Sequence, residues 1–266
     1  MENLVGTGQS QTEDTRAASG EATRQALKGL NGRKPRLGFL FVSSKHALKP
    51  AMEAAAEAAL GVELVATHTA GELTERGLSR GGIAVLLLAS DRLHFDVQGA
   101  FGVRDAHSEA AKRLCSGFAA ANREAGAKGL GLSTTVLLVD GLAGTGERLV
   151  REVMQCTRMF QQVVGGAAGD DGHFTQTSVG ARGEAGPDSA AAVHVFDKTP
   201  WGVGVDHGLR PRTQRMTVTK AKGNVLYELD GRPAFEVYRD YAKTRGVELE
   251  PKTAGTFLIG NELGVF

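Results

Sequence analysis

Asp170-Asp171-Gly172-His173 sets two carboxylates beside an imidazole, and His68-Thr69-Ala70-Gly71-Glu72 sets an imidazole near one. Both stretches carry an Ala-Gly-acid step, Ala70-Gly71-Glu72 and Ala168-Gly169-Asp170. A glycine there lets the backbone reach positive φ or come close to a ligand. Backbone N–H groups exposed by such a turn can hold a carboxylate or another anion. Glu72 or Asp170 could accept a hydrogen bond from a ligand amine. Equally, the glycine could serve a tight turn while the acid caps a neighbouring backbone amide. Because the step recurs at equivalent places, a shared ligand site is the expectation. Its residues would be His68, Thr69, Ala70, Gly71 and Glu72 from the first loop, with Gly165, Gly166, Ala168, Gly169, Asp170 and His173 from the second.

Other chemistries find less support. Gly141-Leu-Ala-Gly-Thr-Gly146-Glu147-Arg148 follows an apolar run as a P-loop does, but lacks the Lys and Ser/Thr that contact phosphate and Mg²⁺. No strand-to-helix nucleophile elbow is expected. Cys115 and Cys156 fall in expected helices without a partner at metal spacing. The acids and His173 could begin a metal site, yet nothing at recognisable spacing completes a shell. His194 alternates with Val193 and Val195, so it faces either solvent or an interior pocket; His46, His94 and His107 have no supporting neighbours. No enzyme is expected.

The elements that must position these loops follow from the apolar pattern. Residues 1–33 read as a leader and an amphipathic helix, with Ser10–Glu13 as a capping box. LGFLFVS (37–43) is a strand covered on both faces, and an Ala-rich helix with Pro50 near its start spans about 48–59. VELVAT (62–67) is the next strand, then 81–90 and 93–100 read as a hairpin around Ser90-Asp91-Arg92. A long helix capped by Asp105 spans about 106–125. From Thr134 the order recurs: strand 134–140, helix 146–160 and strand 161–166. Residues 174–180, 189–196 and 201–208 supply outer strands, the last begun by Trp201. The chain therefore reads as α/β, with two pseudo-symmetric β-α-β-loop-β-β repeats forming layered mixed sheets with helices over 34–210. Equivalent loops of such repeats tend to face one cleft. Residues 211–266 are a shorter α+β segment: a hairpin through Lys222-Gly223-Asn224, a helix opened by Pro233, and an apolar last strand, 257–266.

Thirty-one basic and thirty acidic side chains leave no electrostatic footprint for nucleic acid. No run approaches the length of a membrane span, and the polar start lacks a signal peptide's pattern. A cytoplasmic protein is expected.

VATHTAGELTERG (65–77), VVGGAAGDDGHF (163–174) and VTKAKGNVLYELDGRPAFEVY (218–238) together resemble the FIST sensory proteins, and GTGQSQTEDTRAA (6–18) suits the start of that family. The third segment is the most specific. The resemblance implies an N-terminal FIST region to about 210 and the opening of a C-terminal FIST region, cut short at Phe266. Its motif positions here are Ala70, Gly71, Glu72, Gly165, Gly166, Ala168, Gly169 and Asp170, then Asp230, Gly231 and Pro233. It implies intracellular sensing of small ligands, amino acids or their derivatives among them. With no output domain in the chain, the signal would pass to a partner such as a histidine kinase, chemoreceptor or cyclic-dinucleotide enzyme. One branch resembles haem-based nitric oxide sensors, so haem on His68, His173 or His194 is the alternative. A metal-dependent hydrolase using the paired acids and His173 is the third reading.

Overall fold

The first element is one the apolar pattern does not announce. In the computed structural model, which describes residues 3–157, 162–206, 208–251 and 254–264, β1 (Leu4–Ser10) occupies the stretch expected as a leader. Its signal is hidden because Gly6 and Gly8 stand where strand side chains would. They admit α1 (Thr15–Lys28): a Cβ at Gly8 would lie 1.9 Å from the Ala22 carbonyl oxygen. The expected capping box does not form. Asp14 caps α1 by accepting from Ala17 N at 2.8 Å, while Ser10 donates to Glu21 at 2.7 Å.

β2 (Leu37–Ser43), α2 (Leu48–Ala58) and β3 (Glu63–Thr69) form a parallel β-α-β unit, with Leu37 opposite Glu63 and Ser43 opposite Thr69. A short hairpin follows, β4 (Glu72–Thr74) and β5 (Gly77–Ser79), and then β6 (Ile83–Ala89), which inserts antiparallel between β1 and β2. β7 (His94–Phe101) is not the hairpin partner expected for β6. With both edges of β6 taken, the chain turns at Ser90, whose Oγ accepts from the N–H groups of Arg92 and Leu93, and β7 begins a second sheet.

The long helix expected over 106–125 is two, α3 (His107–Leu114) and α4 (Phe118–Ala127), and Ala106 rather than Asp105 is the N-cap. The break falls at Gly117, where a Cβ would stand 2.3 Å from the Asp96 carboxylate. β8 (Leu132–Val139), α5 (Gly146–Cys156) and β9 (Gln162–Ala167) repeat the parallel unit, and the rest of the helix expected to 160 lies outside the described residues apart from Thr157. β10 (Val179–Ala181) and β11 (Glu184–Gly186) make a hairpin, and β12 (Ser189–Asp197) runs between β7 and β8. Every residue of β12 is buried, as SAAAVHVF requires. The outer strand expected at 174–180 is confined to β10, and 201–206 is irregular, with Trp201 donating to Asp197; His207 lies outside the described residues.

The duplication is therefore present, and it starts earlier than the apolar runs suggest: β1 and β7 head the two copies. The sheets run β1-β6-β2-β3-β10-β11 and β7-β12-β8-β9, so the hairpin of the second repeat extends the sheet of the first. Val179 pairs with Thr67 and Ala181 with Val65. One core lies under α1 and α2; a second, with Val65, Leu138, Val179 and Val193, joins the two sheets; a third lies under α3 and α5.

The chain divides into two compact units, 1–203 and 204–266. The second has its own small core of Ala242, Leu249 and Ala254. β13 (Val218–Lys222) and β14 (Val225–Leu229) form the expected hairpin, β15 (Arg232–Pro233) adds to it, and α6 (Ala234–Thr244) follows Pro233. Among the described residues of the apolar ending there is no strand: α7 (Ala254–Gly260) is helical, and residues 265–266 lie outside the described residues. Among the described residues no helix is long and apolar enough to cross a membrane.

Candidate functional site

The parallel strands β2 and β3 end side by side, and the loop after β9 lies across them. Gly169 N–H donates to the His68 carbonyl and Asp171 N–H to that of Thr69, both at 3.0 Å, while His68 N–H donates to the Ser178 carbonyl. The two Ala-Gly-acid loops thus touch. Their glycines act differently. Gly71 has φ of +150°, whereas Gly169 is needed for close approach, since a Cβ there would lie 3.1 Å from Thr69 and Ala70 backbone atoms.

The acids hold this junction together from within. Glu72, fully buried, accepts from Thr69 Oγ1 at 2.7 Å, Gly82 N at 3.2 Å and Ser79 Oγ at 3.3 Å. Asp170 accepts from the N–H groups of Phe174, Thr175 and Gln176. Burial alone would raise its pKa; those bonds win and hold it below the usual range. Asp171, at φ of +55°, accepts from Ser43 Oγ, Ser44 N and Ser44 Oγ, and is likewise held low against burial. Both Glu72 and Asp170 are thereby used in capping their own turns.

The imidazoles are less fully used. His68 is buried at the end of β3; its Nε2 lies 3.1 Å from the His46 carbonyl, and its Nδ1 has no partner. Burial lowers its pKa, opposed by that carbonyl and by Asp171 and Asp170. His46 is 3% exposed, with Nδ1 3.1 Å from Thr15 Oγ1 and Nε2 unpartnered. Thr15 opens α1 and His46 precedes α2, so the N-termini of two helices meet at this end of the sheet. His46, Thr15, Ser43, Ser44 and Asp171 were absent from the expected site. His46 had looked isolated because its neighbour Thr15 comes from an element remote in sequence.

His173 sits on the rim, exposed, with Nδ1 donating to the Asp170 carbonyl at 2.7 Å. Gly165 and Gly166 are elsewhere: on β9 they line an apolar cavity of about 250 Å³ with Leu137, Val139, Val150 and Val164. His194 is a core group, with Nδ1 2.7 Å from Thr135 Oγ1 and Nε2 2.9 Å from the Leu114 carbonyl.

Of the three histidines expected for haem, His194 has both nitrogens engaged and His173 points from an exposed rim, while His68 keeps Nδ1 without a partner. Among the described residues no group of three His, Cys, Asp or Glu side chains could hold a metal ion.

Residues 36–232 match the FIST N domain family. Over 76 residues the chain is 38% identical to the uncharacterized protein MJ1623 of Methanocaldococcus jannaschii, a stretch covering 29% of this chain and 15% of that protein. Among solved structures it is similar to cyanuric acid hydrolase from A. caulinodans, with a TM-score of 0.40 and 11% identity over 74% of this chain and 72% of that one.

Proposed function

The chain belongs to the FIST N domain family of sensory domains, and from that premise we propose that it binds an amino-acid-like ligand where the loops of its two repeats meet. The observation that carries the reading is the pair of buried, unpartnered imidazole nitrogens, His68 Nδ1 and His46 Nε2. Leaving such a group unpaired costs about 1–3 kcal/mol, which a ligand's hydrogen bond would recover.

The protonation states suit a zwitterion. His68 donates its Nε2 proton to the His46 carbonyl, so the neutral ring offers Nδ1 as an acceptor for an ammonium group. Burial favours that neutral form. A hydrogen bond given by Thr15 Oγ1 to His46 Nδ1 would put the ring proton on Nε2, which could then donate to a carboxylate. The N-termini of α1 and α2 add positive potential on the same side.

The role is binding, not catalysis, and it belongs in the cytoplasm. Ligand entry would shift the balance between arrangements of the interlocked loops by no more than its differential affinity for them. A partner protein, such as a histidine kinase, chemoreceptor or cyclic-dinucleotide enzyme, would read the shift. A thermal-shift screen against amino acids and their derivatives tests this, because a ligand at a hundred times its dissociation constant adds about 2.7 kcal/mol. The compound that stabilises the protein should lose its effect on His68→Leu. An equal shift in that variant places the site elsewhere, and a Soret band on titration with hemin would favour haem instead.

A further inference from the structure

We infer that the open edge of β9 is a docking site for the β4–β5 hairpin of a second copy of this chain, so that two copies exchange hairpins reciprocally. The interface already exists once within the chain. The β10–β11 hairpin of the second repeat pairs along β3 of the first, Gly180 opposite Ala66. β9 holds the place of β3 in the second repeat, but among the described residues no strand pairs with its outer edge, and Gly165 to Ala167 are exposed.

The two hairpins correspond residue for residue. Each has two three-residue strands joined by a two-residue turn, so Leu73 stands where Gly180 does, and Leu78 where Ala185 does. On β10–β11 that face turns to α2: a Cβ on Gly180 would lie 2.5 Å from Met52 Sδ, and Ala185 packs on the first core. On β4–β5 the same face has no cover, with Leu73 74% and Leu78 63% exposed.

The volumes are complementary. In the first repeat the helix supplies the bulk, Met52, and the incoming hairpin supplies Gly180 and Ala185. In the second repeat the fifth residue of the helix is Val150 rather than Met52, and it lines the apolar cavity beside Val164 and Gly166. A hairpin with large side chains fits there, and the β4–β5 hairpin carries two leucines. Its tip is already fixed, since Thr7 donates to Glu75 and Arg76 to Gln25, each at 2.6 Å, so docking orders little that is mobile. Each copy offers one hairpin and one edge, which is the requirement for a closed, isologous pair.

The test is the mass of the full chain in solution by sedimentation over a hundredfold concentration range. A dimer is expected, and Leu73→Glu with Leu78→Lys should make it monomeric with an unchanged circular dichroism spectrum, because both side chains are exposed in the single chain. By the register of Ala181 on Val65, Thr74→Cys and Val164→Cys in a Cys115→Ser, Cys156→Ser background should give a disulfide-linked dimer when diamide oxidises the two thiols. A monomer at every concentration, a dimer that survives the double substitution, or growth beyond a dimer overturns the proposal.

Discussion

The Asp171 carboxylate, from the second repeat, accepts a 2.8 Å hydrogen bond from Ser43 Oγ at the end of β2 in the first. The same oxygen takes Ser44 N and Ser44 Oγ, so one side chain ties the two repeats at the point where their loops cross. Asp171→Ala removes bonds to a charged acceptor, each worth about 1.5–3 kcal/mol and not additive. It also places alanine at a left-handed φ of +55° that Asp and Asn tolerate better. A loss of about 2–4 kcal/mol in urea unfolding is expected, with Asp171→Asn retaining part of it. A change within error for the alanine variant would mean that the repeats are held without this tie.

Acid should weaken the protein in two steps. The folded-state pKa of His68 and that of His194 are both lowered, chiefly by burial, so the unfolded chain protonates first. Their contribution is full above the ordinary value near 6.5 and is lost as pH falls from there to the lowered folded values. Asp170 and Asp171 are also held low, so theirs is full above about 3.9 and disappears as pH falls through the depressed folded values. Denaturant midpoints from pH 8 to pH 2 should show both slopes, and His68→Leu should flatten the upper one. An upper slope unaltered in that variant would assign it to other histidines.

Ligand binding should share the upper window. If neutral His68 accepts from a ligand ammonium, affinity measured by calorimetry is retained through the ordinary histidine range and falls only as pH drops through the lowered folded value of the ring. Affinity that rises on acidification would require an imidazolium donor and reverse the polarity assigned to the ligand.

What could be read from the sequence divides along a physical line. The buried strands announced themselves because covered strands are continuous apolar runs, as in Leu37–Ser43 and Ser189–Asp197. β1 did not, because glycine takes the places where α1 presses on it. The hairpin expected for β6 and β7 failed because strand pairing is decided by which edges are free, and β6 lies between β1 and β2. The loop pair Ala70-Gly71 and Ala168-Gly169 was legible as a repeat, and the loops do meet. The roles of their acids were not legible, since whether Asp170 meets a ligand or its own backbone depends on where the chain goes next.

The close approach of α1 to β1 makes its own prediction. Gly8→Val would drive a side chain into the Ala22 carbonyl, 1.9 Å from the new Cβ. Overpacking of this kind costs about 1–3 kcal/mol or more. A fall in thermal midpoint is expected, with the far-ultraviolet spectrum retained at low temperature. An unchanged midpoint would make residues 4–10 a dispensable leader after all.

The two thiols should differ sharply in reactivity. Cys156 is exposed at the end of α5, while Cys115 is half-buried at the end of α3. Burial, and then the nearby Cys156, pushes the Cys115 thiol up to about 12. Only the thiolate attacks an alkylating agent, so at pH 8 Cys115 has on the order of one molecule in ten thousand in reactive form by its pKa alone. Iodoacetamide followed by mass spectrometry should therefore show a single adduct, on Cys156. Cys156→Ser should remain unmodified in buffer and become labelled in urea, because burial, the larger cause of the shift, survives the substitution and is released only by unfolding. Labelling of folded Cys115 at a rate close to that of Cys156 would show that the packing between α3 and α5 opens readily.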